Sequence, residues 1–108
     1  MSNIKIVTFA PVENADAIRL ALGSAGAGVI GEYSFCSYSV IGKGRFTPSD
    51  NAHPHIGNVG NAEVVEEERI EVVCDRNNAK EVIQAMKQAH PYEEVAFDIY
   101  PLIEEGDL

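Results

Sequence analysis

The sequence has no long hydrophobic run, no basic stripe and only two cysteines, and each shortage removes a class of protein. No apolar stretch approaches the roughly 20 residues that span a bilayer. The opening Met1-Ser2-Asn3-Ile4-Lys5 lacks a basic region followed by an apolar one, so it does not read as a signal peptide. Nucleic-acid binding needs clustered cations to displace phosphate counterions. Here 8 Lys and Arg face 17 Asp and Glu among 108 residues, a formal charge of −9. Anionic membrane surfaces are disfavoured on the same ground. Cys36 and Cys74 have no Cys-x-x-Cys spacing, which suits two buried or semi-buried thiols in a reducing compartment. The expectation is a cytoplasmic protein that binds neither nucleic acid nor membrane.

What is present is enough for one core: a hydrophobic content of 45% in a chain of single-domain size. Residues 1–108 are read as a single domain, with 102–108 as a frayed acidic tail. The charge is uneven, with four acidic and four basic residues in 1–62 but thirteen acidic and four basic in 63–108. That surface favours solubility.

Residues 4–10 form a β-branched and aromatic run stopped by Pro11, the pattern of a strand. Asn14 offers a capping side chain before Ala15, Ile18, Leu22 and Ala25 recur at helical spacing. Gly26 and Gly28 end that helix. Residues 29–41 read as a second strand, with Tyr33, Phe35 and Val40 packing. Residues 63–74 read as a third, with Ile70, Val72 and Cys74 on one face. Asn77 or Asn78 caps a second helix carrying Ala79, Val82, Met86 and Ala89, which Pro91 terminates. Residues 95–101 make the last strand.

The halves share one phase. A shift of 64 residues superposes Ile6 on Ile70, Asn14 on Asn78, Ile18 on Val82 and Leu22 on Met86. Two such units interleave into an α+β, ferredoxin-like βαββαβ sandwich: a four-stranded antiparallel sheet with two helices on one face. Val7, Phe9 and Val73 then fall on the uncovered face, and an apolar uncovered face calls for a partner. Homo-oligomerisation is the economical expectation.

Four groups of residues could carry chemistry. Residues 42–61 are too long for a plain hairpin turn, even with strand continuing through Phe46 and Val59. Gly42 and Gly44 do not open a helix, so they are no dinucleotide fingerprint. They read as bulges of a twisted hairpin, or as a phosphate cradle with Lys43 and Arg45 as its cofactor-binding cations. His53 and His55 supply two imidazoles on one loop, and a divalent cation would need further ligands from His90, Glu93 or Glu94. His90-Pro91-Tyr92-Glu93-Glu94 also reads as architecture or interface, with His90 at the helix end and Tyr92 packed over it. For nucleophilic catalysis, Cys36 has no His or Asp at a telling spacing and reads as an inert core thiol. Glu66 and Glu68 read as a solvated edge. The balance leans away from an enzyme.

One ordered series of residues supports a resemblance. It runs through Ala25-Gly26-Ala27-Gly28, Ile30-Gly31-x-Tyr33-x-x-Cys36 and Gly42-x-Gly44-x-Phe46-x-Pro48. It continues with Ile56-Gly57 and His90-Pro91-Tyr92-Glu93-Glu94-x-Ala96-x-Asp98-Ile99-Tyr100-Pro101. Over nearly the whole chain it resembles the PII-like inserted domain of the YqfO-type, NGG-interacting-factor-like family, in stand-alone form. The resemblance implies a ferredoxin-like fold similar to PII signalling proteins and CutA, assembled as trimers. In full-length relatives the dinuclear metal ligands lie in flanking domains. No position here matches them, so hydrolase activity does not carry over. The function expected is a homo-oligomeric accessory or regulatory binding module. The alternatives are a CutA-like divalent-metal binder and a PII-like small-molecule or nucleotide sensor.

Overall fold

The computed structural model describes residues 2–108. The strands are β1 (Asn3–Pro11), β2 (Tyr38–Phe46), β3 (Glu63–Asp75) and β4 (Phe97–Pro101), and the helices are α1 (Ala15–Ser24) and α2 (Ala79–Ala89). They form the expected βαββαβ order and one antiparallel sheet, β2-β3-β1-β4. The ferredoxin-like reading holds. Alternation sends Ile4, Ile6, Ala10, Ile70, Val72 and Cys74 to the helix side. There they meet Ile18, Leu22, Val82 and Met86 in one buried cluster.

The 64-residue repeat extends further than side-chain phase. A 3-10 turn precedes each helix at equivalent places, Val12–Asn14 and Arg76–Asn78. The capping differs from expectation. Asn14 makes no cap bond. Asp75 caps the second turn by accepting from the Asn77 N–H. Asn78 instead donates from Nδ2 to the Ala25 carbonyl at 2.9 Å, tying α2 to the end of α1.

Residues 29–37 are not strand. Positive φ at Gly28, Gly31 and Phe35 breaks the extended run, and Ile30 and Tyr33 close a tight turn. Tyr33 and Val40 are correspondingly exposed, and Phe35, also exposed, lays its ring over Gly23 of α1 instead of joining the core. Cys36 is half-buried in this loop, outside the core, whereas Cys74 is a core residue. β2 ends at Phe46 and β3 starts at Glu63, so Val59 belongs to the connecting loop.

The face away from the helices is not bare hydrocarbon. Val7 is fully buried there, and Phe9 and Val73 are half-buried. Glu71 accepts ion-pair contacts from Lys5 at 3.2 Å and Arg69 at 2.9 Å, and Arg69 lies over the Phe9 ring at 5.7 Å. Long side chains thus shield the apolar floor with their stems while their charges stay paired. The expectation of an uncovered apolar face is corrected accordingly.

Glu68 is no solvated edge either. On the helix side it pairs with Arg19 of α1, which also donates to Ser39 Oγ at 3.1 Å. The Glu68 side chain is only 12% exposed. Removing Arg19 strands the Glu68 carboxylate, whereas removing Glu68 leaves Arg19 its second partner, Asp16, so the cost of the latter is smaller. Glu68→Ala should cost about 1–2 kcal/mol in chemical denaturation, and Arg19→Leu combined with Glu68→Leu should recover most of it.

Candidate functional site: a cavity beside the β2–β3 hairpin

β1 stops at Pro11, opposite Glu67, while the β2–β3 hairpin runs on to the Phe46 and Glu63 pair. Residues 90–96, on their way from α2 to β4, run beside Thr8 and Phe9 of β1 and reach Glu67 of β3. Pro91 forces His90 out of the helix, to φ −83° and ψ 136°. That turn aims the His90 ring back at β1, where it is 7% exposed.

His90 Nε2 lies 2.6 Å from the Phe9 carbonyl oxygen, which can only accept, so Nε2 carries the proton. Nδ1 accepts from the Tyr92 N–H at 3.2 Å. A single neutral tautomer satisfies both bonds. Burial holds the imidazole below its ordinary range, against the opposing pull of the Phe9 bond and the Glu67 charge. Both ring nitrogens are thus engaged within the chain, which leaves neither free for a metal ion.

Tyr92 is the hub. Its ring centroid lies 5.0 Å from His90, 6.3 Å from Phe46 and 6.4 Å from His55, all tilted. Its hydroxyl donates to Glu67 Oε2 at 2.7 Å. Burial pushes the phenol well above the ordinary tyrosine value, and the hydrogen bond to Glu67 and that carboxylate's charge add to it. A raised phenol contributes stability below pH about 10 and loses it as pH rises beyond. The tyrosinate absorbance that Tyr92→Phe removes should therefore appear only above pH about 10, together with loss of folded signal.

Two strand glycines let this arrangement form. A Cβ on Gly44 would come within 2.0 Å of Glu67 Oε1, so the carboxylate lies where a side chain would otherwise stand. A Cβ on Gly42 would meet nothing within 4 Å. Above them is a cavity of about 660 Å³. Gly42 and Gly44 lie in its floor, Phe9, Phe46 and Tyr92 in its walls, and His55 comes from the overlying loop 47–62.

The structure brings the two sequence motifs together. The His53 N–H donates to Glu93 Oε1 at 2.9 Å, joining the loop to the His-Pro-Tyr-Glu-Glu segment. His55, Glu93 and Glu94 border the cavity. They do not assemble into a metal shell: among the described residues no group of three or more His, Cys, Asp or Glu is placed to hold an ion. Lys43 and Arg45 also border the cavity, on the alternate phase of β2 to the two glycines. Glu67 and Phe46 escaped sequence reasoning as site residues. Glu67 sits in an unbroken Glu66-Glu67-Glu68 run, and only the strand phase separates it from its neighbours.

No protein-family model matches the chain. The GTP cyclohydrolase 1 type 2 homolog of Bacillus subtilis is 52% identical over 98 residues, which is 91% of this chain and 26% of that protein. The Mycobacterium tuberculosis counterpart is 52% identical over 99 residues, with 92% and 26% covered. A Bacillus cereus protein related to NIF3, seen in a crystal structure, superposes with a TM-score of 0.84 at 47% identity, over 95% of this chain and 26% of that one. The chain is thus homologous to a region about a quarter the length of these relatives. For the fold alone, the periplasmic divalent cation tolerance protein CutA of Archaeoglobus fulgidus gives a TM-score of 0.69 at 20% identity, covering 94% and 85%. GlnK of B. subtilis, in a complex with ATP, gives 0.62 at 13%, covering 94% and 84%.

Proposed function

We propose that this chain is a homo-oligomeric accessory or regulatory module that binds a small ligand in the cavity beside the β2–β3 hairpin, with no catalytic step of its own. The observation that carries the reading is the cavity itself. Its volume of about 660 Å³ falls in the range of small-molecule sites. It is mostly apolar, with a few fixed polar groups, and it lies where the loop 47–62 and the His90–Glu94 motif converge.

Oligomerisation draws support from the sheet edges rather than from its shielded face. β2 and β4 are edge strands. Tyr38, Val40 and Ile41 on β2, and Ile99 and Tyr100 on β4, are exposed. Edge strands with apolar side chains and unpaired backbone groups favour pairing with another chain. A trimer is the assembly implied by the resemblance to PII and CutA proteins. A reducing, cytoplasmic setting fits the two free thiols.

Ligand-observed NMR with a panel of one- and two-ring aromatic fragments, ATP and Zn²⁺ tests the binding site. Fragment or nucleotide binding that Gly42→Leu abolishes supports it. A panel in which nothing binds, or in which binding ignores Gly42→Leu, removes it. Light scattering that shows a strict monomer at micromolar concentration removes the oligomeric half of the reading.

A further inference from the structure

Glu67 separates this cavity from a plain apolar hole. Two other glutamates of the same strand are neutralised: Glu68 pairs with Arg19, and Glu71 pairs with Lys5 and Arg69. Among the described residues Glu67 has no cationic partner, and its hydrogen bond comes from the Tyr92 hydroxyl to Oε2. That bond fixes the carboxylate over Gly44 while no donor is placed on Oε1. The carboxylate is half-buried in an aromatic-walled cavity. It retains acceptor capacity on both oxygens, since a carboxylate has about four lone-pair sites.

Shape adds a second constraint. Gly42 and Gly44 remove the side chains that would stand on this face of β2, and the open space above Gly42 leaves a flat strip of backbone as floor. Phe46 and Tyr92 rise beside it. A strip of this kind admits a planar ring against the strand, with aromatic contacts at its side. The cations are placed less directly than the carboxylate, with Lys43 and Arg45 bordering the cavity from the alternate phase of β2. Arg69, the cation on this face of β3, is engaged by Glu71 and by the Phe9 ring.

We propose that the cavity takes a planar, one- or two-ring heteroaromatic with an amidine-type N–C–N edge, whose N–H groups donate to the Glu67 carboxylate. The proposal rests on the binding reading above and deepens it by naming the ligand chemistry. Tyr92 acts as a positioning residue: it holds the carboxylate in place and does not itself read the donor edge.

The test compares three flat probes of similar size by isothermal calorimetry: 2-aminobenzimidazole with the donor edge, quinoxaline with acceptors only, and 2-naphthoate as an anion. The first should bind on the order of tenfold more tightly than the other two, the factor expected of a charge-assisted hydrogen-bonded pair. Glu67→Gln keeps a neutral acceptor for Tyr92 and should remove about that factor while lowering the melting temperature less than Gly44→Val does. Tyr92→Phe keeps the carboxylate but releases it from the bond that positions it, and should weaken binding less. Quinoxaline or 2-naphthoate binding as well as 2-aminobenzimidazole, and losing affinity in Gly42→Leu, overturns the donor-edge inference while the cavity reading stands. Binding of 2-aminobenzimidazole that is indifferent to Glu67→Gln overturns it too. Failure of all three probes on the wild-type protein overturns it outright, and the wider fragment and nucleotide panel then decides the cavity reading separately.

Discussion

Replacing His90 with alanine should destabilise the protein by about 2–4 kcal/mol, because three contacts are lost at one buried point. The Phe9 carbonyl loses its donor, the Tyr92 N–H loses its acceptor, and Tyr92 loses a ring packed 5.0 Å away. For a domain of this size the melting temperature should fall on the order of 10–20 °C. Protein concentration must be held constant in the comparison, since assembly contributes to apparent stability. The same residue carries a pH signature. Burial depresses its pKa in the fold, so its stabilisation is complete above the unfolded value of about 6.5. As pH falls below that value the unfolded chain takes a proton that the folded chain refuses, and stability declines towards the lower native pKa. Urea titrations at pH about 7.5 and about 5.5 should show this decline in the wild type and a smaller one in His90→Ala. An equal decline in both proteins would contradict the neutral tautomer assigned to His90.

Gly44→Val should remove ligand binding, while Gly42→Ala should leave the fold intact. At Gly44 a Cβ displaces the Glu67 carboxylate, and the Tyr92 hydroxyl then loses its charged acceptor. The displaced group is the flexible end of a side chain, so backbone strain is small. The cost is the lost hydrogen bond, about 1.5–3 kcal/mol for a charged acceptor, offset by about 0.5–1 kcal/mol from replacing glycine in a strand. The expected net destabilisation is about 1–2 kcal/mol. Fragment affinity should fall on the order of tenfold or more. At Gly42 the added methyl meets nothing, so Gly42→Ala should be neutral or stabilising by up to about 0.5–1 kcal/mol. Calorimetry and thermal melts on both variants separate a glycine kept for folding from one kept for open space. If both variants melt and bind alike, the glycine floor has no role in the site.

Much of the fold is legible without coordinates, for reasons visible in particular residues. Ile6, Ile18, Leu22, Ile70, Val82 and Met86 recur in the phase of one strand and one helix, twice, and burial follows phase. Proline at 11 and 91 marks element ends because its ring removes a donor and restricts the preceding residue. Residues 29–37 misled for the converse reason. Val29, Ile30, Tyr33 and Phe35 carry strand composition, but positive φ at Gly28, Gly31 and Phe35 is a property of the folded backbone. The shielded sheet face misled too. Val7, Phe9 and Val73 look bare until Lys5, Glu71 and Arg69 are seen folded across them.

The site divides along the same line. His90 and Tyr92 stand out as a string, yet their roles follow from partners 81 and 25 residues away, Phe9 and Glu67. Sequence alone determined the repeat, the element order, the acidic character and the choice of buried face, because these depend on local periodicity and composition. Only the tertiary structure decided that His90 is locked neutral, that Glu67 among three successive glutamates faces the cavity, and that Gly42 and Gly44 lie in its floor. Those outcomes depend on how residues 90–96 run beside β1 and β3 and on which atoms then meet. Contacts of that range leave no periodic mark on the chain.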